Sequence, residues 1–212
     1  MIGRFRRYAR EHGASAALRK GLAEARRRTY AAGRVTLLVK DLDSISTPRR
    51  SADIEVVSFE EHHLAGLSEL NRRRGRPGVD RRFRDYLDRG LNGYVGLRAG
   101  EIVGYYWWVD CAVPGVHPDL DWLGDSLQIR PGDAYGSDFY LLPEARGGNV
   151  ANAFLYGVES DLARRGFDRL WGYVESGNRE ARWIYSSRGY LPMGDVIIRR
   201  TLSHRRVAQS RN

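Results

Sequence analysis

At 212 residues, 42% of them hydrophobic and with five Trp, twelve Tyr and six Phe, the chain can bury the core of one domain of about 160 residues plus an extension. It contains no apolar run of about 18 residues, and its Arg-rich start lacks the apolar centre of a signal peptide, so neither a spanning helix nor secretion is expected. The net charge of +9 suggests a binder of polyanions until it is divided: residues 1–50 hold 13 Lys/Arg against 4 Asp/Glu, whereas residues 51–212 hold 22 of each.

The single cysteine, Cys111, leaves no internal disulfide and fits a reducing, cytoplasmic location. With no nearby His–Asn pair, it reads as a small apolar residue and not as a nucleophile. The first 50 residues read as a basic arm and residues 51–212 as the compact domain. Within the arm, residues 1–31 have the spacing of a basic, weakly amphipathic helix interrupted by Gly3, Gly13 and Gly21. Val35–Val39 has the look of a short strand, and Asp43–Ala52, with Pro48-Arg49-Arg50, that of a linker.

From Asp53 onward the elements alternate. Ile54–Phe59 reads as a strand, and Glu60–Leu70 as a helix with Leu64, Leu67 and Leu70 on one face. The Arg-rich stretch 72–84 turns at Pro77-Gly78 into a second helix ending near Arg89. Strands Gly93–Arg98 and Ile102–Asp110 follow, joined by Ala99-Gly100-Glu101. Residues 111–134 read as irregular, with Pro114, Pro118 and Pro131. Strand 135–142, helix 150–165, strand Arg169–Glu175, helix Arg179–Arg188 and an extended Met193–Leu202 complete the chain. This order is mixed α/β, and the crossover helix makes strands 135–142 and 169–175 a parallel pair.

Two segments carry chemistry. The turn Arg146-Gly147-Gly148-Asn149-Val150-Ala151 joins a strand to a helix, so unpaired N–H groups and the positive end of the helix dipole converge where a phosphate could sit. Glycine there admits positive φ and close approach of a ligand. Downstream, Asn178, Ala181, Tyr185, Gly189 and Tyr190 form the spacing N-x-x-A-x-x-x-Y-x-x-x-G-aromatic. Asn178 can cap the helix, Ala181 and Tyr185 share a face, and Gly189 suits a left-handed ending.

Together the two segments resemble the GNAT superfamily of acyl-CoA-dependent N-acyltransferases, over roughly residues 53–202. The family's R/Q-x-x-G-x-G/A turn is met by Arg146–Ala151 except that Asn149 stands where glycine is usual, and Asn is the non-glycine residue best suited to the left-handed region. The resemblance implies an α+β fold whose mostly antiparallel sheet has a splayed parallel central pair flanked by helices. It further implies that backbone N–H groups of Arg146, Gly147, Gly148, Asn149, Val150 and Ala151 cradle the pyrophosphate of acetyl-CoA or another acyl-CoA. Leu141 and Leu142 would bond the pantetheine amides through their main chain, Asn178 would contact that arm, and Tyr185 would protonate the departing thiolate.

Transfer to an amine also needs a proton acceptor, for which Asp138 ranks first and Glu175 second. Asp110 and the acidic stretch 111–134, with Asp119, Trp122 and Asp125, are expected to draw a cationic acceptor amine, in a small molecule or a peptide. The aromatic run Tyr105-Tyr106-Trp107-Trp108 leaves open a longer acyl chain delivered by CoA or an acyl carrier protein. The arm could dock that acidic carrier or an anionic membrane, whereas it lacks RNA-binding patterning. His62-His63 and His117 show no metal-ligand spacing, and no metal is expected.

Overall fold

The computed structural model describes residues 30–48, 52–73, 79–113, 120, 123, 126–201 and 205–209. The strands are β1 (Tyr30–Asp41), β2 (Glu55–Ser58), β3 (Asn92–Arg98), β4 (Glu101–Asp110), β5 (Asp133–Leu141), β6 (Arg169–Glu175), β7 (Leu191–Thr201) and β8 (Arg205–Gln209). The helices are α1 (His63–Arg73), α2 (Val79–Asp88), α3 (Val150–Arg164) and α4 (Arg179–Ser187). All eight strands form one sheet in the order β2-β3-β4-β5-β6-β1-β7-β8, antiparallel throughout except for β5 and β6.

Each face of the sheet carries a core. Val95, Tyr105, Trp107, Tyr135 and Trp171 meet Leu67, Leu70 and Phe83 of α1 and α2 on one face. Tyr94, Tyr106, Trp108, Leu170 and Val174 meet Phe154, Leu155, Val158 and Leu162 of α3 on the other. The aromatic run of β4 is thus divided by strand alternation between two filled cores, and none of its four rings is exposed.

The main departure from the sequence reading is β1. Residues 30–41, expected in the arm, form an interior strand between β6 and β7. Val35 to Lys40 are buried without a break, as befits a strand covered on both faces. The division at 50/51 therefore cuts through the sheet. The helix expected over 1–31 lies outside the described residues except for Tyr30 and Ala31, which already belong to β1.

The stretch 111–134 also differs. Leu123 and Leu127 are fully buried and Leu120 and Ile129 partly so, all against the core on the α1/α2 face. These four residues help cover the sheet on that face. The closing residue of the stretch, Asp133, is 1% exposed and accepts from Arg169 Nε and Nη2 at 2.8 and 2.6 Å, Trp171 Nε1 at 2.9 Å and the Arg130 N–H at 2.7 Å.

That clamp sits where β5 and β6 join. Their parallel ladder covers only Asp133–Tyr135 against Arg169–Trp171, and beyond it the two strands diverge. At the point of divergence a Cβ on Gly136 would stand 1.7 Å from the Tyr106 hydroxyl, so only glycine fits. The splay, which the crossover helix alone could not reveal, opens toward the carboxyl ends of both strands.

Candidate active site

One side of the splay is made by β5, which carries a bulge. Tyr105 pairs with Tyr140 and Trp107 with Ser137, so Asp138 and Phe139 share the place opposite Tyr106. Asp138 adopts φ +47°, and its carboxylate accepts from Arg82 of α2. Gly136-Ser137-Asp138 inside an apolar strand was the available sign of this irregularity.

Past the bulge, strand alternation decides which main-chain groups face the gap. Leu142 N–H donates to Val103 O at 2.8 Å and its carbonyl accepts from Ala145 N–H at 2.9 Å, so both main-chain groups of Leu142, expected to bond the pantetheine, are engaged inside the fold. Leu141, one residue earlier, faces away from β4 and toward the splay. Arg146 Nε donates to the Leu141 carbonyl at 3.2 Å, and the guanidinium lies 5.7 Å over the Tyr140 ring.

After a 3-10 turn at Pro143–Ala145 the chain runs through Gly147, Gly148 and Asn149 at φ +109°, +53° and +71°. Asn149 (ψ 13°) is the N-cap of α3 in the left-handed region, the conformation its presence in place of glycine required. Its Oδ1 accepts from Asn152 Nδ2 at 2.7 Å. Two of the N–H groups assigned to the cradle are used by the turn itself: Arg146 donates to Pro143 O and Val150 to Gly147 O. Those of Gly147, Gly148 and Ala151 donate to no main-chain acceptor among the described residues. The space a Cβ would take at Gly147 and Gly148 is open. Three left-handed residues ahead of a helix dipole have the geometry to receive an anion.

Across the splay, Asn178 caps α4, its Oδ1 accepting from Ala181 N–H at 3.1 Å. Ala181, Ile184 and Tyr185 form the inner face of that helix, packed against the same core as Val150 and Phe154 of α3. The Tyr185 ring meets Tyr190 edge-on at 4.9 Å and 71°. Burial, and after it the Glu159 carboxylate, pushes the Tyr185 phenol well up, so it stays protonated. Glu175 ends β6, exposed at the mouth of the splay.

Of the residues expected to recruit the acceptor, only Asp110 lies among the described residues. Asp110 pairs with Ala134, seven residues from Leu141 and hence about 23 Å along β5 from the turn. Its Oδ1 accepts from Ala112 N–H at 2.8 Å, closing the loop at the opposite end of the sheet. Asp119, Trp122 and Asp125 lie outside the described residues, while their neighbours Leu120 and Leu123 face the core. Cys111 is half-buried, its thiol pushed up to about 12 by burial and by Asp133 and Asp110, which keeps it unreactive. Among the described residues no three His, Cys, Asp or Glu are grouped to hold a metal ion, and no helix is long and apolar enough to cross a membrane.

No family model matches the chain, and no curated protein matches it. Solved structures do. A GCN5-related N-acetyltransferase from Sphaerobacter thermophilus is 20% identical over 90% of this chain and 57% of its own, with a TM-score of 0.56. The GCN5-related glucosamine N-acetyltransferase region of a fungal multi-domain GH3 beta-N-acetylglucosaminidase gives 16% identity over 82% and 22%, with a TM-score of 0.59. A protein from Novosphingobium aromaticivorans, proposed as a GNAT-family acetyltransferase, gives 14% over 85% and 66%, with a TM-score of 0.52. The chain spans less than two thirds of the length of each. Identities this low speak to architecture alone, and the splayed β5/β6 pair, the glycine turn into α3 and the capped α4 across from it agree with them: the chain has the fold of the GNAT superfamily.

Proposed function

We propose that the protein is an N-acyltransferase that moves an acyl group, acetyl foremost, from acyl-CoA to an amine by direct transfer. The observation that carries this reading is the run Gly147–Asn149, three left-handed residues at the open end of the β5/β6 splay, aimed into the start of α3. The pyrophosphate would rest on the N–H groups of Gly147, Gly148 and Ala151, with Asn149 shaping the turn. The pantetheine arm would lie in the splay, bonded by the main chain of Leu141 and flanked by Asn178.

In the reaction the amine nitrogen attacks the thioester carbon, the C–N bond forms and the C–S bond breaks. Asp138, at the bulge, takes the amine proton directly or through one water, with Arg82 orienting its carboxylate. Glu175, at the mouth, is the second choice for that role. Leu141 N–H polarises the carbonyl. Tyr185, protonated and beside the sulfur, donates to the thiolate as it leaves.

The filled cores around Tyr105, Tyr106, Trp107 and Trp108 favour a short acyl group over the long chain that an acyl carrier protein would deliver. The acceptor is an amine-bearing small molecule or peptide, and a cytoplasmic location fits the lone Cys111. The basic residues before β1 would serve to bring the enzyme to an acidic partner or an anionic membrane.

Thiol release from acetyl-CoA in the presence of polyamine, amino-sugar and peptide acceptors tests the reading, alongside thermal shift. Acetyl-CoA at 100 times its Kd should stabilise the fold by about 2.7 kcal/mol. No stabilisation at millimolar acetyl-CoA and no thiol release with any acceptor would defeat it.

A further inference from the structure

Behind Tyr185 three charged side chains are buried together, on three separate elements. Glu159 of α3 is 0% exposed, and Lys40 of β1 and Arg188, the C-cap of α4, are each 3% exposed. Arg188 donates to both carboxylate oxygens of Glu159 and, through Nη1, to Ser46 O at 2.8 Å. Lys40 Nζ donates to the carbonyl of Arg188 at 2.6 Å and to that of Ser44 at 3.4 Å. Two cations thus share one carboxylate in the interior. The carbonyls of Arg188, Ser44 and Ser46, with the negative end of the α4 dipole, supply the remaining compensation.

The turn that this network grips adjoins Tyr185. The N–H groups of Arg188 and Tyr190 both donate to the Tyr185 carbonyl, at 3.1 and 3.0 Å, and the Tyr190 ring is the edge-on neighbour of the Tyr185 ring. Between them Gly189 takes φ +80°, with Lys40 Nζ 3.2 Å from where a Cβ would stand. Ser187 adds a link to Asn152 of α3 at 3.1 Å. Turn 188–190 therefore seats the phenol, while β1 and α3 hold the turn. Apolar side chains would fill such a space at no cost in stability; a hydrogen-bonded charge network instead fixes direction and distance.

We infer that Lys40, Glu159 and Arg188 are positioning residues for Tyr185, fixing its hydroxyl relative to the helix that cradles the acyl donor. Strand β1 then takes part in turnover without touching substrate. The inference rests on the acyltransferase reading, with Tyr185 at the sulfur.

A double-mutant cycle tests it. Lys40→Met keeps the apolar stem and removes the ammonium. It should lower kcat on the order of 10- to 100-fold, as small displacements of a reacting group do, with little change in the KM for acyl-CoA. In a Tyr185→Phe background the same substitution should lower kcat no further. Falls that multiply would show general support of the fold and overturn the inference. Glu159→Gln, close to isosteric, serves in the same cycle if Lys40→Met does not fold. A readout free of turnover is the ring resonance of Tyr185 in 13C-tyrosine-labelled protein. It should move in Lys40→Met or Glu159→Gln, and an unmoved resonance overturns the inference. If the wild-type protein shows no turnover with acyl-CoA, the acyltransferase reading fails while this resonance still decides the positioning claim.

Discussion

Removing residues 1–41 should abolish folding, and a deletion ending at residue 29 is the comparison that leaves β1 in place. The longer deletion takes out β1, leaving β6 and β7 without the strand that pairs with both. Val35, Leu37, Leu38 and Val39 are between 2% and 8% exposed, and their loss uncovers apolar surface on both faces of the sheet. Truncating one buried leucine to alanine costs about 2–5 kcal/mol. A domain has only about 5–15 kcal/mol in total, so losing two such leucines, two valines and both ladders exceeds it. The graded form of the test is Leu37→Ala, whose cost of about 2–5 kcal/mol should lower Tm by about 4–20 °C for a chain of this length. Circular dichroism melts of the two deletions and of Leu37→Ala provide the assay. A cooperative melt near the wild-type Tm after deletion of 1–41 would refute the placement of β1.

Other expectations follow from the site and its supports. Gly147→Ala places a side chain at φ +109°, which costs on the order of 1–3 kcal/mol of backbone strain. Because the space around it is open, the turn should relax and lose N–H groups from the cradle, weakening acyl-CoA about 10- to 100-fold by calorimetry at a similar Tm. Tyr185→Phe should lower kcat by about 10²-fold or more while sparing the KM for acyl-CoA, and equal loss in both would point to a packing role. Asp133→Ala leaves Arg169 without its buried partner and should cost about 3–5 kcal/mol in urea unfolding. Burial pushes the Asp161 carboxyl up, but bonds from Tyr94 and Arg165 and the charges of Arg165 and Arg164 outweigh it and hold it below its ordinary 3.8. A lowered carboxyl stabilises the fold above its unfolded value and loses that as pH falls through the folded one. The stability advantage of wild type over Asp161→Asn should therefore shrink below about pH 4, and a gap unchanged with pH would refute the shift.

What the sequence disclosed, and what it withheld, divides by range. The turn at Gly147–Asn149 and the cap at Asn178 are local, governed by a few neighbouring residues, and both have the conformations their side chains demand. Asn149 in the left-handed region is the clearest case. β1 is the converse: Val35–Val39 is a plain strand signal, but its partners lie more than 130 residues away, and nothing in the arm's basic composition says that it enters the sheet. In the stretch 111–134 the carboxylates are conspicuous in composition, while Leu120, Leu123 and Leu127, spaced at three and four, pack on the core. Asp110 stands far from the turn because antiparallel pairing sends the end of β4 away from the end of β5. Lys40, Glu159 and Arg188 lie far apart in the sequence, and only the tertiary packing of β1, α3 and α4 brings them together.

The central claim is that the turn before α3 holds the phosphates of an acyl donor. Backbone amide resonances of 15N-labelled protein, followed while acetyl-CoA is added, test it most directly. The account predicts saturable shifts centred on Gly147, Gly148 and Ala151, with Leu141 and Asn178 following as the arm fills the splay. Binding that leaves those three amides unmoved, or no binding at millimolar acetyl-CoA, would contradict it.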